Sequence, residues 1–424
     1  MKTANKKANR RQALCAASLI MALAMLMSCL SSCALTVKAA ELTAGVEREK
    51  KENVQTDEKA FAEMMYDLAA TLLKKSRENG STVISPVSAA ACLSMIAQGT
   101  GGETKKQLDG FFGCDTDEVK KGLYLFFEDT VSDKSGGFSS ANSLWIRDSF
   151  AQDVKESYIR DVVDWSAAQI YSSDFSADTV KDINNWCADK TEGMIKEIIE
   201  GIDPLTVMYM INAVCFDAKW RDKYEDGDIT DGVFHNADGS LSNVKMLCST
   251  ESRYIGWAGA KGFIRPYEGE KYAFVGILPD KSEDFEKYVS SLDGETWKNL
   301  LESDPGTGAW GGVYVKMPEF KIESDTDVKK LMEECGVSEL FGPDCDFSRL
   351  SDRGDLYCSE IKQKAFIELD RNGTKAAAVT WGDANVESVE VPPQIRIILD
   401  RPFIFAVIDI ESGIPLFMGT AEQF

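Results

Sequence analysis

The sequence predicts an α+β domain organised around an antiparallel sheet. Three observations carry this. Early in the chain Phe61, Met64, Met65, Leu68, Ala69, Leu72 and Leu73 recur at helical spacing. The second half is rich in β-branched and aromatic runs. From Asp57 onward no internal repeat or low-complexity linker divides the chain, so helices come first and long strands later, unlike a βαβ array.

In chain order, the first element is an export signal. Residues 1–12 carry Lys2, Lys6, Lys7, Arg10 and Arg11 and no acid, and the apolar run Ala13 to Leu30 follows. That run is close to spanning length, but the small and polar residues after it favour a signal over an anchor. Leu30-Ser31-Ser32-Cys33 resembles the lipobox of bacterial lipoproteins, in which the cysteine becomes the lipid-modified first residue. A competing cut near Val37-Lys38-Ala39-Ala40 would release a soluble protein. Residues 1–32 are read as a lipoprotein-type signal, 33–56 as a flexible charged tether and 57–424 as one domain. Either cut places the mature chain outside the cell, secreted or on its surface.

A second helix starts at Ser85-Pro86, proline being favoured at the first helical position, and continues through AAACLSMIAQG. Ser303–Gly312 is turn-rich and reads as a loop. Strands are expected at Val313–Met317, Phe320–Glu323, Ala365–Leu369, Ile395–Ile398 and Phe403–Ile410, the last returning through Glu411-Ser412-Gly413 into Pro415–Met418.

Composition narrows the function. Lys+Arg number 47 against 69 Asp+Glu, a net charge of −22, and −27 once the five cations of residues 1–32 are removed. Nucleic acid and anionic membrane surfaces both need clustered cations, so neither is an expected partner; the only membrane contact expected is the lipid anchor. The single histidine, His235 in a turn-like stretch, leaves no His-rich metal site and no His–His pair. Eight cysteines remain beyond Cys33, none at the spacing of a zinc knuckle or redox motif, and Cys92 and Cys215 read as buried small hydrophobes. No metal and no cofactor are expected.

No nucleophile elbow, phosphate loop or dinucleotide fingerprint occurs. Ser359-Glu360-Ile361-Lys362 matches a serine–lysine pattern, but at the start of a strand positions three apart face opposite sides. Paired carboxylates could serve a glycosidase, yet among 69 none stands out. The chain is read as a non-enzyme.

The informative segment is 373–395, GTKAAAVTWGDANVESVEVPPQI, a long loop between two strands. Every second residue from Thr374 is small or apolar: Thr374, Ala376, Ala378, Thr380, Gly382, Ala384 and Val386. The opposite parity, Lys375 to Glu387, holds the charges and Trp381. That alternation describes a strand with one face against a packed core. Three alanines and a glycine are poor strand formers, so the loop reads as one that can become a strand.

These residues, with others along the body, resemble the serpin family. Asp370-Arg371-Asn372-Gly373-Thr374-Lys375-Ala376-Ala377-Ala378 resembles the hinge before the family's reactive loop, and Asp400-Arg401-Pro402-Phe403 with Pro415-Leu416-Phe417-Met418-Gly419 resembles its C-terminal signature. Ile84-Ser85-Pro86, Asn142-Ser143-Leu144-Trp145, Asn212-Ala213 with Lys219-Trp220, Arg265-Pro266-Tyr267 and Met317-Pro318-Glu319-Phe320 follow the family's order between them.

The resemblance implies three β-sheets, eight to nine helices and an exposed reactive loop over about 373–395. It implies irreversible inhibition of extracellular serine proteases through a covalent complex, with cysteine proteases a lesser option, by a monomer. A protease cuts the loop, the hinge side inserts into the large sheet as a new strand, and the acyl-enzyme is trapped. Insertion is driven by the free energy of a kinetically trapped native state. Gly373, Thr374, Ala376, Ala377, Ala378 and Thr380 become the inserting residues. Ser85, Asn212, Trp220 and Gln363 become the sheet-opening region. The family's spacing puts the cut bond at Glu387–Ser388, within about a residue, Val386 included.

This chain departs from the family pattern at Arg371 and Lys375, where Glu is usual, at Gln363, where His is common, and at Met194, where Lys is usual. No Lys or Arg lies between Lys375 and Arg396, which removes trypsin-like targets and leaves elastase-like, subtilisin-like or glutamate-specific ones. The alternative from a different class is a non-inhibitory member acting as a surface binding protein.

Overall fold

The computed structural model describes residues 37–77, 80–132, 137–303, 312–374 and 395–424. Within them eighteen strands, β1–β18 in chain order, form three sheets.

The large sheet contains β1 (Ala40–Glu41), β3 (Phe138–Arg147), β4 (Gln169–Ser173), β5 (Met208–Phe216), β6 (Ala218–Lys219), β13 (Phe320–Asp327), β14 (Glu360–Leu369) and β15 (Gly373–Thr374). A six-stranded sheet contains β2 (Thr82–Ile84), β9 (Arg253–Trp257), β10 (Ala260–Pro266), β11 (Tyr272–Pro279), β17 (Phe403–Asp409) and β18 (Pro415–Ala421). A four-stranded sheet contains β7 (Ile229–His235), β8 (Leu241–Glu251), β12 (Val313–Pro318) and β16 (Ile395–Ile398).

The expected strands of the second half correspond to β12, β13, β14, β16, β17 and β18. The antiparallel expectation needs correction. β3 pairs with β4, β5 with β14 and β12 with β16 in parallel, so the large and four-stranded sheets are mixed, whereas the six-stranded sheet is antiparallel throughout. The choice of partner is non-local and leaves no periodic trace in the strands themselves.

Ten α-helices occur among the described residues, against the eight to nine expected; the surplus comes from pieces as short as Asp148–Ala151. Those used below are α1 (Glu58–Ser76), α2 (Pro86–Gly99), α3 (Gly102–Phe112) and α4 (Thr116–Ser132). Asp57 caps α1 by accepting the Ala60 N–H, and Ser85 caps α2 with proline at its start. Every residue of α2 is buried, because it runs between the large sheet and β18. Cys92 and Cys215 are buried as expected.

Ala39–Phe424 form one compact unit. Its first residues differ from the flexible tether that their composition suggests. β1 adds to the edge of the large sheet against β4, with Ala40 opposite Ser172. Lys51 Nζ lies 2.6 Å from Asp164 Oδ2, a carboxylate with no exposed surface, and Glu49 N–H donates to Asp164 Oδ1 at 2.9 Å. Arg48 pairs with Glu128 of α4 at 2.8 Å. The cations Arg48, Lys50 and Lys51 meet carboxylates on the body, while Glu47, Glu49 and Glu52 are exposed.

Candidate functional site

The large sheet carries two polar clusters on the path a new strand would take. The first lies at its centre. Register places Asn142 of β3 opposite Asn212 of β5, and Asn212 opposite Gln363 of β14. The three buried side chains make one row across three strands, above the start of α2. Asn212 Nδ2 donates to Asn142 Oδ1 at 2.7 Å, and Gln363 Nε2 donates to Asn212 Oδ1 at 3.2 Å. Ser88 Oγ donates to the same Asn212 oxygen at 2.6 Å. Gln363 also grips the Ser85 backbone from both sides: Nε2 donates to its carbonyl at 3.2 Å, and Oε1 accepts its N–H at 3.4 Å. Ser85 Oγ donates to Leu416 O at 2.7 Å, tying the cluster to β18.

Both functions of the Gln363 amide are therefore used, as a buried amide requires. Separating β14 from β5 at this level breaks its bond to Asn212, while its bonds to Ser85 lie outside the sheet. A neutral amide makes this junction insensitive to pH.

The second cluster is the hinge. Asp370 Oδ1 accepts the N–H groups of Asn372 (2.6 Å) and Gly373 (3.2 Å), which closes the turn after β14. Gly373 then approaches β6 so closely that a Cβ there would lie 2.1 Å from Ala218 O. Thr374 sits between Leu369 of β14 and Ala218 of β6, 1% exposed, with its hydroxyl 2.6 Å from that of Tyr267. Burial pushes the Tyr267 phenol far above its usual range, so it stays a neutral hydrogen-bonding group. Tyr267 stacks on Trp220 with centroids 4.5 Å apart and planes 7° from parallel. Trp220 in turn donates its ring N–H to Asp370 O at 2.9 Å and its backbone N–H to Asn372 O at 3.0 Å.

Between the clusters the sheet is split. β14 pairs with β5 only from Glu360–Tyr209 to Lys364–Ala213. Beyond that, β5 runs on to Phe216 and β14 to Leu369 without pairing with each other, and β15 bridges the open end. Two strand edges facing one another without a shared ladder form a template for an intervening strand.

Of the expected sheet-opening residues, the structure brings Ser85, Asn212 and Gln363 together. Trp220 belongs elsewhere: it follows β6, which pairs with β15, and so stands at the hinge. Gly373 and Thr374 are buried in the sheet. Cys33, Ala376, Ala377, Ala378, Thr380, Val386, Glu387 and Ser388 lie outside the described residues. Sequence reasoning does not assign Ser88, Asn142 or Tyr267 to the site. Ser88 has a signal, three residues after the Ser85 cap, whereas the Tyr267–Thr374 contact joins residues 107 apart in sequence. His235 is exposed at the end of β7, and among the described residues no cluster of metal-ligating side chains occurs. Arg371, at a position where Glu is usual, reaches Asp226 at 2.7 Å, and its N–H donates to Glu319 at 3.2 Å, so the turn keeps an opposite-charge contact.

Known proteins match this architecture along most of its length. The family model Serpin (serine protease inhibitor) matches residues 58–423. An uncharacterised serpin-like protein of Thermococcus kodakarensis is 28% identical over 349 residues, 80% of each chain. Leukocyte elastase inhibitor A of Mus musculus is 29% identical over 360 residues, 82% of this chain and 94% of the other. Among solved structures, the thermophilic serpin tengpin in its native state superposes with a TM-score of 0.84 at 34% identity, covering 92% of this chain and 100% of that one. Tengpin in its latent state superposes less closely, at 0.72, with 33% identity and coverage of 89% and 100%. A family model spanning the whole body, and a fold that follows one member at this identity, lead to one conclusion: the chain belongs to the serpin family of serine protease inhibitors.

Proposed function

We propose that this chain is an exported suicide inhibitor of extracellular serine proteases, tethered to the cell surface through Cys33. The observation that supports it most is Thr374, seated at the head of a split between β5 and β14, with the first rung of a new strand already formed. In this reading, cleavage near Glu387–Ser388 frees the hinge side of the loop. Its small residues on the Thr374 parity then face the core as the strand zips between β14 and β5. The Gln363–Asn212 bond yields as the strand passes, and the acyl-enzyme is carried along with the loop before water can release it.

The bait composition favours a protease that cuts after a small or acidic residue, and the leukocyte elastase inhibitor relatives are named for a target of the first kind. The basic start and apolar run before Cys33 support export, and no cofactor takes part. Mixing the purified chain with an elastase and with a glutamyl endopeptidase should yield a complex that survives SDS. Cleavage of the loop without any such complex would instead mark a substrate or a binding protein on the same fold.

A further inference from the structure

Behind the hinge lies a buried charge pair that the insertion path itself does not use. Arg265 of β10 and Glu251, the last residue of β8, are each 4% exposed and form an ion pair. The same guanidinium donates to the backbone oxygen of Asp222, and its carbon stands 5.0 Å from the Trp220 ring centroid and 4.1 Å from that of Tyr224. Its Nε has no partner. On the other side, Glu251 accepts from Ser249 Oγ at 2.6 Å, and Tyr224 donates to Ser249 at 3.3 Å. Two charges held this deep, one with an unmet donor, contribute little net stability and therefore want another reason.

Register supplies one. Glu251 is opposite Val313 of β12, and Val313 is opposite Ile395, the first residue of β16, which carries the far end of the reactive loop. Arg265 meanwhile grips residues 220–224, and Trp220 holds the hinge at the near end. One ion pair thus joins the two anchors of the loop. We infer that the Arg265–Glu251 pair is a positioning latch that prevents the uncut loop from entering the sheet. Self-insertion of an intact loop requires β16 to peel from β12. The pair fixes the corner of the four-stranded sheet where that peeling starts. After cleavage the near end moves alone, so the latch does not oppose inhibition.

The inference rests on the insertion reading, and the experiment separates the two. Wild type, Glu251→Gln and the packed double variant Arg265→Met/Glu251→Leu are incubated without protease. Self-insertion is followed by native-gel mobility, by gain of heat resistance and by loss of inhibitory capacity. The double variant removes both charges at similar volume, so its initial melting temperature should stay near that of wild type. Its conversion should be roughly tenfold faster or more, while the stoichiometry of complex formation in freshly folded protein is unchanged. A merely structural role would move melting temperature and stoichiometry together. Conversion at the wild-type rate in a folded double variant overturns the latch. If that variant does not fold, Arg265→Lys keeps the charge but not a fork that reaches both Glu251 and Asp222; several-fold faster conversion supports the latch, and the wild-type rate overturns it. If nicking the wild-type loop leaves the melting temperature unchanged, insertion itself fails. A rise on nicking together with unaltered variants condemns only the latch.

Discussion

The hydroxyls of Tyr267 and Thr374 meet 2.6 Å apart inside the protein, so in the proposed mechanism the first inserting residue is already hydrogen-bonded to the body before cleavage. Insertion therefore does not need to nucleate from a free loop. On this reading the entropy of fixing the hinge is met in the native state, and cleavage would release a strand with its first rung in place.

Removing that contact should slow insertion relative to hydrolysis of the acyl-enzyme. Tyr267→Phe leaves the Thr374 hydroxyl buried without its partner, at about 1–3 kcal/mol. More inhibitor should then be consumed per protease trapped, by a few-fold in a stoichiometric titration. Thr374→Arg is more severe, since a cation cannot be buried unpaired on that path. It should be cut like a substrate with no SDS-stable complex, and unchanged inhibition by this variant would refute the insertion argument.

The central row should respond to an ionisable substitute. Gln363 is 3% exposed and neutral at every pH. In Gln363→His the buried imidazole must stay neutral, so its folded pKa falls below the unfolded value of about 6.5. Below that value the unfolded chain binds a proton that the folded chain does not, so stability should fall as pH drops from about 7 to 5. The parent should show no such loss over this window at this site. Paired thermal melts at several pH values would check it, and a flat difference between the two proteins would contradict it.

The strands are legible because each is a local pattern: β16 begins and ends where Ile395–Ile398 reads as a run. The family motifs add membership of the site, but not its geometry. They group Trp220 with Ser85, Asn212 and Gln363, yet its place depends on β6 pairing with β15, which no local pattern reveals. The segment before α1 escapes a local reading for the same reason. Its cations look solvated in sequence because their partners are remote, Lys51 and Asp164 being 113 residues apart.

That segment should therefore stabilise the body. Burial pushes the Asp164 carboxyl up, but the hydrogen bonds from Lys51 and the Glu49 N–H, with the Lys51 charge, outweigh it and hold the group below the usual carboxylate range. Lys51→Met leaves this carboxylate with its backbone donor only and should cost about 1–3 kcal/mol at neutral pH, a drop in melting temperature of a few degrees. A depressed carboxylate stabilises above its unfolded pKa of about 3.9 and loses that contribution as pH falls through the folded value. The gap between variant and parent should accordingly narrow below about pH 4. A gap that is absent at pH 7 would mean the segment only rests on the surface.

The bait can be tested through its own chemistry. Between Lys375 and Arg396 there is no cation, and Glu387 is the acidic residue at which the family's spacing places the cut. If a glutamate-specific protease is the target, Glu387→Ala should lower its trapping rate by about a hundredfold or more, because a site built to pair a carboxylate is left with an unmet charge. An elastase-like protease, whose pocket takes small side chains, should instead be trapped as fast or faster by the same variant. Mass spectrometry of the fragment released from the wild-type complex decides which bond was used. A fragment starting at Ser388 places the cut after Glu387, and one starting at Glu387 places it after Val386. Because insertion length depends on where the loop is cut, the second outcome would also shorten the inserted strand by one residue and shift the protease by one position along the sheet.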